Sequence, residues 1–215
     1  MVVQRAITGF FLISLLAFVY LYLPPLVLSC FFLVVGTIII FIEWPPLVKP
    51  HAKAFWLLTP VYPIAPFIYL ILLNQNPLSH PLIPYLFAIV FSFDTWSYIA
   101  GKLLGNTKIC PTISPGKTWE GTIGGYVGTI SLLIAWYWYQ GITKPWLLLS
   151  FVIGLICALS LCGDLFESWL KRRAQVKDSG TLLPGHGGLL DRFDSILFVA
   201  PFFYVCKSFL ITFFV

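Results

Sequence analysis

The sequence predicts an all-α fold: a polytopic bundle of about seven transmembrane helices, with a cytoplasmic amphipathic helix and a glycine-rich loop. Three observations predict it. First, 59% of the 215 residues are hydrophobic and only 10% are charged, against about 25% charged in a soluble domain. Second, the apolar residues fall into runs long enough to span a bilayer, which takes ~20 residues. Third, the basic residues sort to one side of those runs. A disordered chain is excluded, because 18% of the residues are aromatic. A soluble globule is excluded, because too few polar residues are present to cover one. The five Cys are too sparse for a disulfide scaffold; none forms a C-x-x-C pair, and they read as small buried thiols. The chain reads as one membrane domain, 1–215, without internal repeats.

The runs, in order, are 6–23, 25–42, 55–73, 82–101, 119–139, 145–162 and 193–214. The first is a retained span rather than a cleaved signal peptide, since no small-x-small site precedes Pro24 and Pro25. Those two prolines make a very tight turn to the second. Pro60, Pro63 and Pro66 kink or break the third. Threading the runs alternately places Arg5, Lys49, Lys53, Lys102, Lys108, Lys117, Lys171, Arg172, Arg173, Lys177 and Arg192 on one side, and Lys144 on the other. Lys207 lies within the last run. The positive-inside rule makes the populated side cytoplasmic, with the N-terminus on it and the C-terminus outside. The net charge of +5 therefore reflects cytoplasmic loops, and a nucleic-acid partner is rejected.

All eight acids, Glu43, Asp94, Glu120, Asp164, Glu167, Asp178, Asp191 and Asp194, fall at or near the same side. Within 164–176, DLFESWLKRRAQV, the residues Asp164, Glu167, Ser168, Lys171, Arg172 and Gln175 lie on one helical face, opposite Leu165, Phe166, Trp169 and Leu170. This is the amphipathic helix; the pattern alone does not separate a solvated face from a pocket lining. The loop that follows carries Lys177, Asp178, Gly180, Pro184, Gly185, His186, Gly187 and Gly188, then Asp191, Arg192 and Asp194. Glycines let backbone N–H groups approach a ligand closely, as phosphate-binding loops do. Carboxylates beside Lys and Arg suit a divalent cation holding a polyphosphate.

The preceding cytoplasmic loop holds Ser114-Pro115-Gly116-Lys117-Thr118-Trp119-Glu120-Gly121. It is not a Walker A element, because position 111 is Pro and no strand precedes it. Gly121, Gly124, Gly125 and Gly128 follow at helical spacing, which suits close helix packing. Asp94 lies inside an apolar run and is a functional candidate by default.

These residues resemble the phosphatidate cytidylyltransferase (CDP-diacylglycerol synthase) family. The resemblance rests on Ser168-x-x-Lys171-Arg172, Lys177-Asp178-x-Gly180, Pro184-Gly185-His186-Gly187-Gly188 and Asp191-Arg192-x-Asp194, preceded by Gly163-Asp164-Leu165-x-Glu167. Asp94-Thr95, Gly101, Gly105 and Ser114-Pro115-x-Lys117-Thr118-Trp119-Glu120-Gly121 resemble its upstream elements, and Glu43-Trp44 an earlier one. It covers about residues 90–200.

The resemblance implies a multi-pass enzyme of the bacterial inner membrane, a homodimer, that condenses CTP with phosphatidic acid to CDP-diacylglycerol and pyrophosphate and requires Mg²⁺, with room for a second metal ion. It also implies fewer N-terminal spans than the family's longer members. Gly116 stands where the family has a second basic residue. The phosphate of phosphatidic acid is the nucleophile, so no Ser, Cys or His nucleophile is needed. Asp164 and Asp191 are expected as principal metal ligands, with Asp178 and Asp194 second. Lys171, Arg172, Lys177 and Arg192 are expected on phosphates. Ser168 and Gly185, His186, Gly187 and Gly188 are expected to contact substrate, and Ser114, Lys117, Glu120 and Asp94 to close the site. The rival reading is a transporter or channel using the same acids. A CDP-alcohol phosphotransferase is excluded by the missing D-G-x2-A-R pattern.

Overall fold

The computed structural model describes residues 14–49, 51–182 and 187–215. It is an all-α polytopic membrane fold with one small β-hairpin. Residues 14–22 are helical (α1); the rest of the first predicted run, and Pro184, Gly185 and His186, lie outside the described residues. Pro25 opens α2, Pro25–Ile38, at a first-turn position where the missing N–H costs nothing. The predicted stop at 42 is overrun. A π turn, Ile39–Glu43, leads directly into α3, Trp44–Leu47, giving one apolar rod from Pro25 to Leu47. Pro45 and Pro46 are tolerated because they sit in the first turn of α3.

The second rod runs Lys53–Gln75. It comprises α4 (Lys53–Thr59), a π turn (Pro60–Ile64) and α5 (Ala65–Gln75), and breaks at Tyr62 (φ −149°, ψ 110°), within the predicted proline cluster. Polar staples hold the first two rods together. The Asn74 amide donates to the Pro25 carbonyl (2.6 Å) and to Ser29 Oγ (2.9 Å), and Trp44 Nε1 donates to Thr59 Oγ1 (2.8 Å).

Helix α6, Leu82–Leu104, is followed by β1 (Lys108–Cys110) and β2 (Ser114–Thr118), an antiparallel pair with Lys108 opposite Thr118 and Cys110 opposite Ser114. Thr118 ends β2 and caps α7, Trp119–Tyr139, its hydroxyl accepting from Gly121 N–H. The glycine stripe of α7 packs on α6 as expected. A Cβ at Gly124 would strike Ala100, one at Gly125 Ser97 and Phe93, and one at Gly128 Trp96. Lipid tails give apolar helices no hydrophobic drive to associate, so close approach through small residues supplies the packing.

Two expectations are corrected downstream. The amphipathic stretch 164–173 is not a separate helix in a loop. It is the end of α8, Trp146–Arg173, which continues the sixth run without a break. Apolarity ends near Cys162, but nothing there stops the helix; the next stop is the αL residue Gln175. The last run is not one straight span: α9 (Leu190–Val205) and α10 (Lys207–Phe214) meet at 93° about Cys206. Lys207 lies at that corner, its ammonium 4.1 Å from the Tyr204 ring centroid, where a charge inside a straight apolar span would be costly.

Among the described residues four helical rods are long and apolar enough to cross a bilayer, or five counting the bent α9–α10 pair, fewer than the seven runs. The expectation of buried thiols holds for Cys157 alone; Cys30 and Cys162 are exposed, and Cys110 and Cys206 partly so. Large apolar side chains such as Phe41, Leu103, Trp138 and Leu147 point outward, the arrangement of a surface solvated by lipid.

Candidate active site

The polar side chains converge where α8, α9, the hairpin and the α2–α3 rod meet. Gly163 makes the closest approach possible: a Cβ there would lie 2.5 Å from the Asp194 carbonyl and 3.0 Å from Ser195 Cα. Helix α9 therefore packs directly on α8, and the acids next to this contact, Asp164 and Asp194, are brought together. Ser195 Oγ reinforces it by donating to the Ser160 carbonyl (3.1 Å).

Two turns further along α8, Lys171 bridges two acids. Its ammonium donates to Glu167 Oε2 (2.5 Å) and Asp191 Oδ1 (2.7 Å). Glu167 is fully buried and Asp191 nearly so, with side-chain exposures of 0% and 9%. A buried acid is tolerated only with such a partner. Glu167 Oε1 and Asp94 Oδ1 remain buried without a donor among the described residues.

A second pair lies alongside. Lys117, at the end of β2, forms a salt bridge with Asp164, whose other oxygen accepts from Ser168 Oγ (3.4 Å). Burial by itself pulls the Lys117 ammonium down, but Asp164 and Asp94 facing it outweigh this and raise its pKa, so the charge persists at neutral pH. The hairpin is fastened here by Arg172, whose Nε donates to the Ile113 carbonyl (3.2 Å). Ser114 is half-buried on β2.

The glycine-rich loop closes around carboxylates of the chain itself. Asp191 Oδ2 accepts from Gly188 N–H (2.7 Å), Ser179 N–H (3.0 Å) and Ser179 Oγ (3.0 Å). Glu43, buried at the end of its π turn, accepts from Leu189 N–H (2.8 Å), Leu190 N–H (2.7 Å) and Ser179 Oγ (3.3 Å). A carboxylate taking the first N–H groups of α9 also suits the positive helix end. The glycines are small because these acids press on them. A Cβ at Gly180 or Gly188 would sit 2.8 or 2.7 Å from Glu43 Oε1, and Gly187 (φ +79°) lies against Asp191.

Several expected residues are exposed or serve local structure. Lys177 and Asp178 are exposed, though Asp178 Cβ lies 3.4 Å from where a Gly187 Cβ would be. Arg192 is exposed on the first turn of α9. Glu120 is turned to local structure, accepting from Asn106 N–H (3.2 Å) and Thr107 N–H (3.1 Å) where the chain leaves α6 for the hairpin. Two important acids were not among the expected site residues. Glu167 was on the marked helical face, and its spacing to Lys171 was the available signal. Glu43 has two signals in the sequence, its place as the single acid of the first long rod and the resemblance of Glu43-Trp44 to an earlier family element.

The site thus holds two lysines at one end of the bundle, Lys171 between the buried acids Glu167 and Asp191 and Lys117 on the partly buried Asp164. Among the described residues no three His, Cys, Asp or Glu side chains form a metal cage. The arrangement is suited to receiving polyanions: cations backed by acids that fix their position, with aromatic walls from Tyr62, Phe166 and Phe198 (ring centroids 5.1–5.6 Å apart) excluding water.

The profile of the cytidylyltransferase family matches residues 7–210. The phosphatidate cytidylyltransferase of Rickettsia bellii (strain RML369-C) is 38% identical over 205 residues, covering 92% of this chain and 87% of the relative. That of Rickettsia prowazekii (strain Madrid E) is 36% identical over 218 residues, covering 96% and 92%. That of Bacillus subtilis (strain 168) is 44% identical over 132 residues, covering 61% of this chain and 48% of the relative, so the match takes in about half of that longer protein. With a profile match over nearly its whole length and relatives matched end to end, the chain belongs to the cytidylyltransferase family.

Proposed function

We propose that the protein is a phosphatidate cytidylyltransferase, condensing CTP and phosphatidic acid to CDP-diacylglycerol and pyrophosphate. The observation that carries this reading, beyond family membership, is the pair of lysines Lys117 and Lys171 held by acids, Asp164 for the one and the buried Glu167 and Asp191 for the other, at one end of apolar helices. Two polyanions must meet there, so neutralisation and alignment are the main tasks. An oxygen of the lipid phosphate attacks the α-phosphorus of CTP, and the bond to the β-phosphate oxygen breaks. The lysines and Arg192 bind phosphate oxygens, while Arg172 holds the hairpin, and so Lys117, over the site. Glu43 and Asp191 fix the loop that precedes α9. Acyl chains stay in the bilayer beside the apolar helices.

A Mg²⁺ requirement fits the donor set. Magnesium takes hard oxygen ligands and is commonly held by one or two carboxylates plus substrate phosphates rather than by a protein cage. Asp164 and Asp191 would hold it by giving up the lysine contacts of Lys117 and Lys171, with Asp194 and Asp178 second, and the orphaned Asp94 Oδ1 and Glu167 Oε1 mark a centre short of positive charge. When bound, the ion would supply neutralisation of the leaving pyrophosphate. The reading extends to a bacterial inner-membrane location with the site on the cytoplasmic side, where CTP is, supported by the bias of Lys and Arg, and to a homodimer.

The test is purified protein in mixed micelles with CTP and phosphatidic acid. CDP-diacylglycerol and pyrophosphate should appear one for one. Absence of both, with solute flux in liposomes instead, would favour the transporter reading.

A further inference from the structure

A second polar cavity, about 410 Å³, lies at the same end of the bundle. Its polar lining includes Lys49, Arg173 and Gln175, its apolar lining Leu47, Val48 and Leu58, and no acid contributes. It sits where three spanning rods end: Pro25–Leu47 finishes, Lys53–Gln75 begins and Trp146–Arg173 finishes. The ends of the two 23-residue rods lie at headgroup depth, and α8, running on past its apolar stretch, brings Arg173 beside them. Arg173 follows Lys171 by two residues, which on an α-helix is about 200° of rotation, so the cavity faces away from the Lys171–Asp191 pair.

Two details point to a bound anion. The Arg173 guanidinium lies 5.5 Å from the Trp169 ring centroid, which holds a cation in place without neutralising it. Helix α8 ends in a Schellman turn, with Gln175 N–H on the Arg172 carbonyl (3.1 Å) and Val176 N–H on the Lys171 carbonyl (2.9 Å). The residue in the left-handed position is Gln175, φ 59°, where glycine is the unstrained choice. That residue is itself one of those lining the cavity.

We infer that this cavity is an accessory site for the phosphate headgroup of an anionic phospholipid, separate from the catalytic centre. Basic pockets between helix ends bind such headgroups. Lys49 and Arg173 pair the phosphate, Gln175 donates to an ester oxygen, and Val48 and Leu58 meet the start of the acyl chains.

The experiment needs no turnover. Wild type and the K49Q/R173Q double variant are reconstituted with phosphatidylcholine and phosphatidylglycerol and transferred to neutral detergent. Retained lipid is then counted by mass spectrometry. Wild type should keep about one more phosphatidylglycerol per chain than the double variant, and millimolar inorganic phosphate should not displace it. Equal retention overturns the proposal; displacement by phosphate reassigns the cavity to a free anion and also overturns it. Q175G, which relieves the backbone, should lose retention while melting no lower than wild type; retention unchanged in Q175G counts against the Gln175 contact. CDP-diacylglycerol formation in neutral micelles should be equal in wild type and double variant. Its loss in the double variant alone would make this the substrate's own docking site and overturn a separate one. Its absence in both would defeat the activity reading and leave the lipid count to stand.

Discussion

Replacing Lys171 by methionine tests the acid–lysine core most sharply. The ammonium lies 2.5 Å from Glu167 Oε2 and 2.7 Å from Asp191 Oδ1. At an effective dielectric constant of ~20, each contact is worth about 6 kcal/mol of gross attraction, and desolvation offsets much of it. Removing one partner of a buried pair costs about 3–5 kcal/mol, because the remaining charge stays buried. Methionine keeps the length of the side chain but leaves two acids facing each other. For a chain of this size the loss corresponds to a melting temperature lower by about 6–20 °C, read by fluorescence-detected size exclusion after heating in detergent. Adding Glu167→Gln removes one stranded charge, and Asp191 keeps the donors Ser179 and Gly188. The double variant should recover at least half of the melting loss, yet stay inactive, because the Lys171 ammonium is still missing from the phosphates. A single variant that melts like wild type, or a double variant less stable than the single, would show that Lys171 does not hold the two acids.

Glu43→Gln should lower turnover and speed proteolysis of the loop before α9, because one carboxylate accepts from Ser179, Leu189 and Leu190 and hydrogen bonds to charged groups are worth about 1.5–3 kcal/mol; steady-state kinetics and limited digestion check it. Gly163→Val should destabilise by about 1–3 kcal/mol, since α9 backbone lies 2.5–3.0 Å from the new Cβ; a melt matching wild type would contradict the packing. EDTA should abolish turnover and Mg²⁺ restore it, with Asp164→Asn unresponsive while still inserted in the membrane. Lys117→Met should raise KM for CTP and reduce turnover, whereas Lys144→Met, at the α7–α8 connection, should leave both unchanged.

Much of this site is legible in the chain, for identifiable reasons. Asp164, Ser168 and Lys171 share a helical face by spacing alone, and that spacing survives whether the helix is free or, as here, the end of α8. The length of α8 was not legible, because hydropathy reports where lipid ends and not where the helix does. The hairpin was missed because Ser114-Pro115-Gly116 lacks the alternation of a strand; β2 is held by its partner and by Arg172. Glu43 was underrated because its role depends on Leu189 and Leu190, about 146 residues away, and no local pattern carries such a contact. The glycines do permit close approach, as their sequence implies, but what approaches Gly180 and Gly188 is Glu43. The corner at Cys206 had one sign, Lys207 within an apolar run.

The central claim is that these charges join a cytidylyl group to a lipid phosphate. The most direct measurement uses CTP labelled either at the α- or at the γ-phosphate, with phosphatidic acid and Mg²⁺. The α-label should appear in the lipid extract and the γ-label in aqueous pyrophosphate, in equal amounts. Label from the α-phosphate left in water as CMP, or γ-label found in lipid, would mean hydrolysis or phosphorylation and would contradict it.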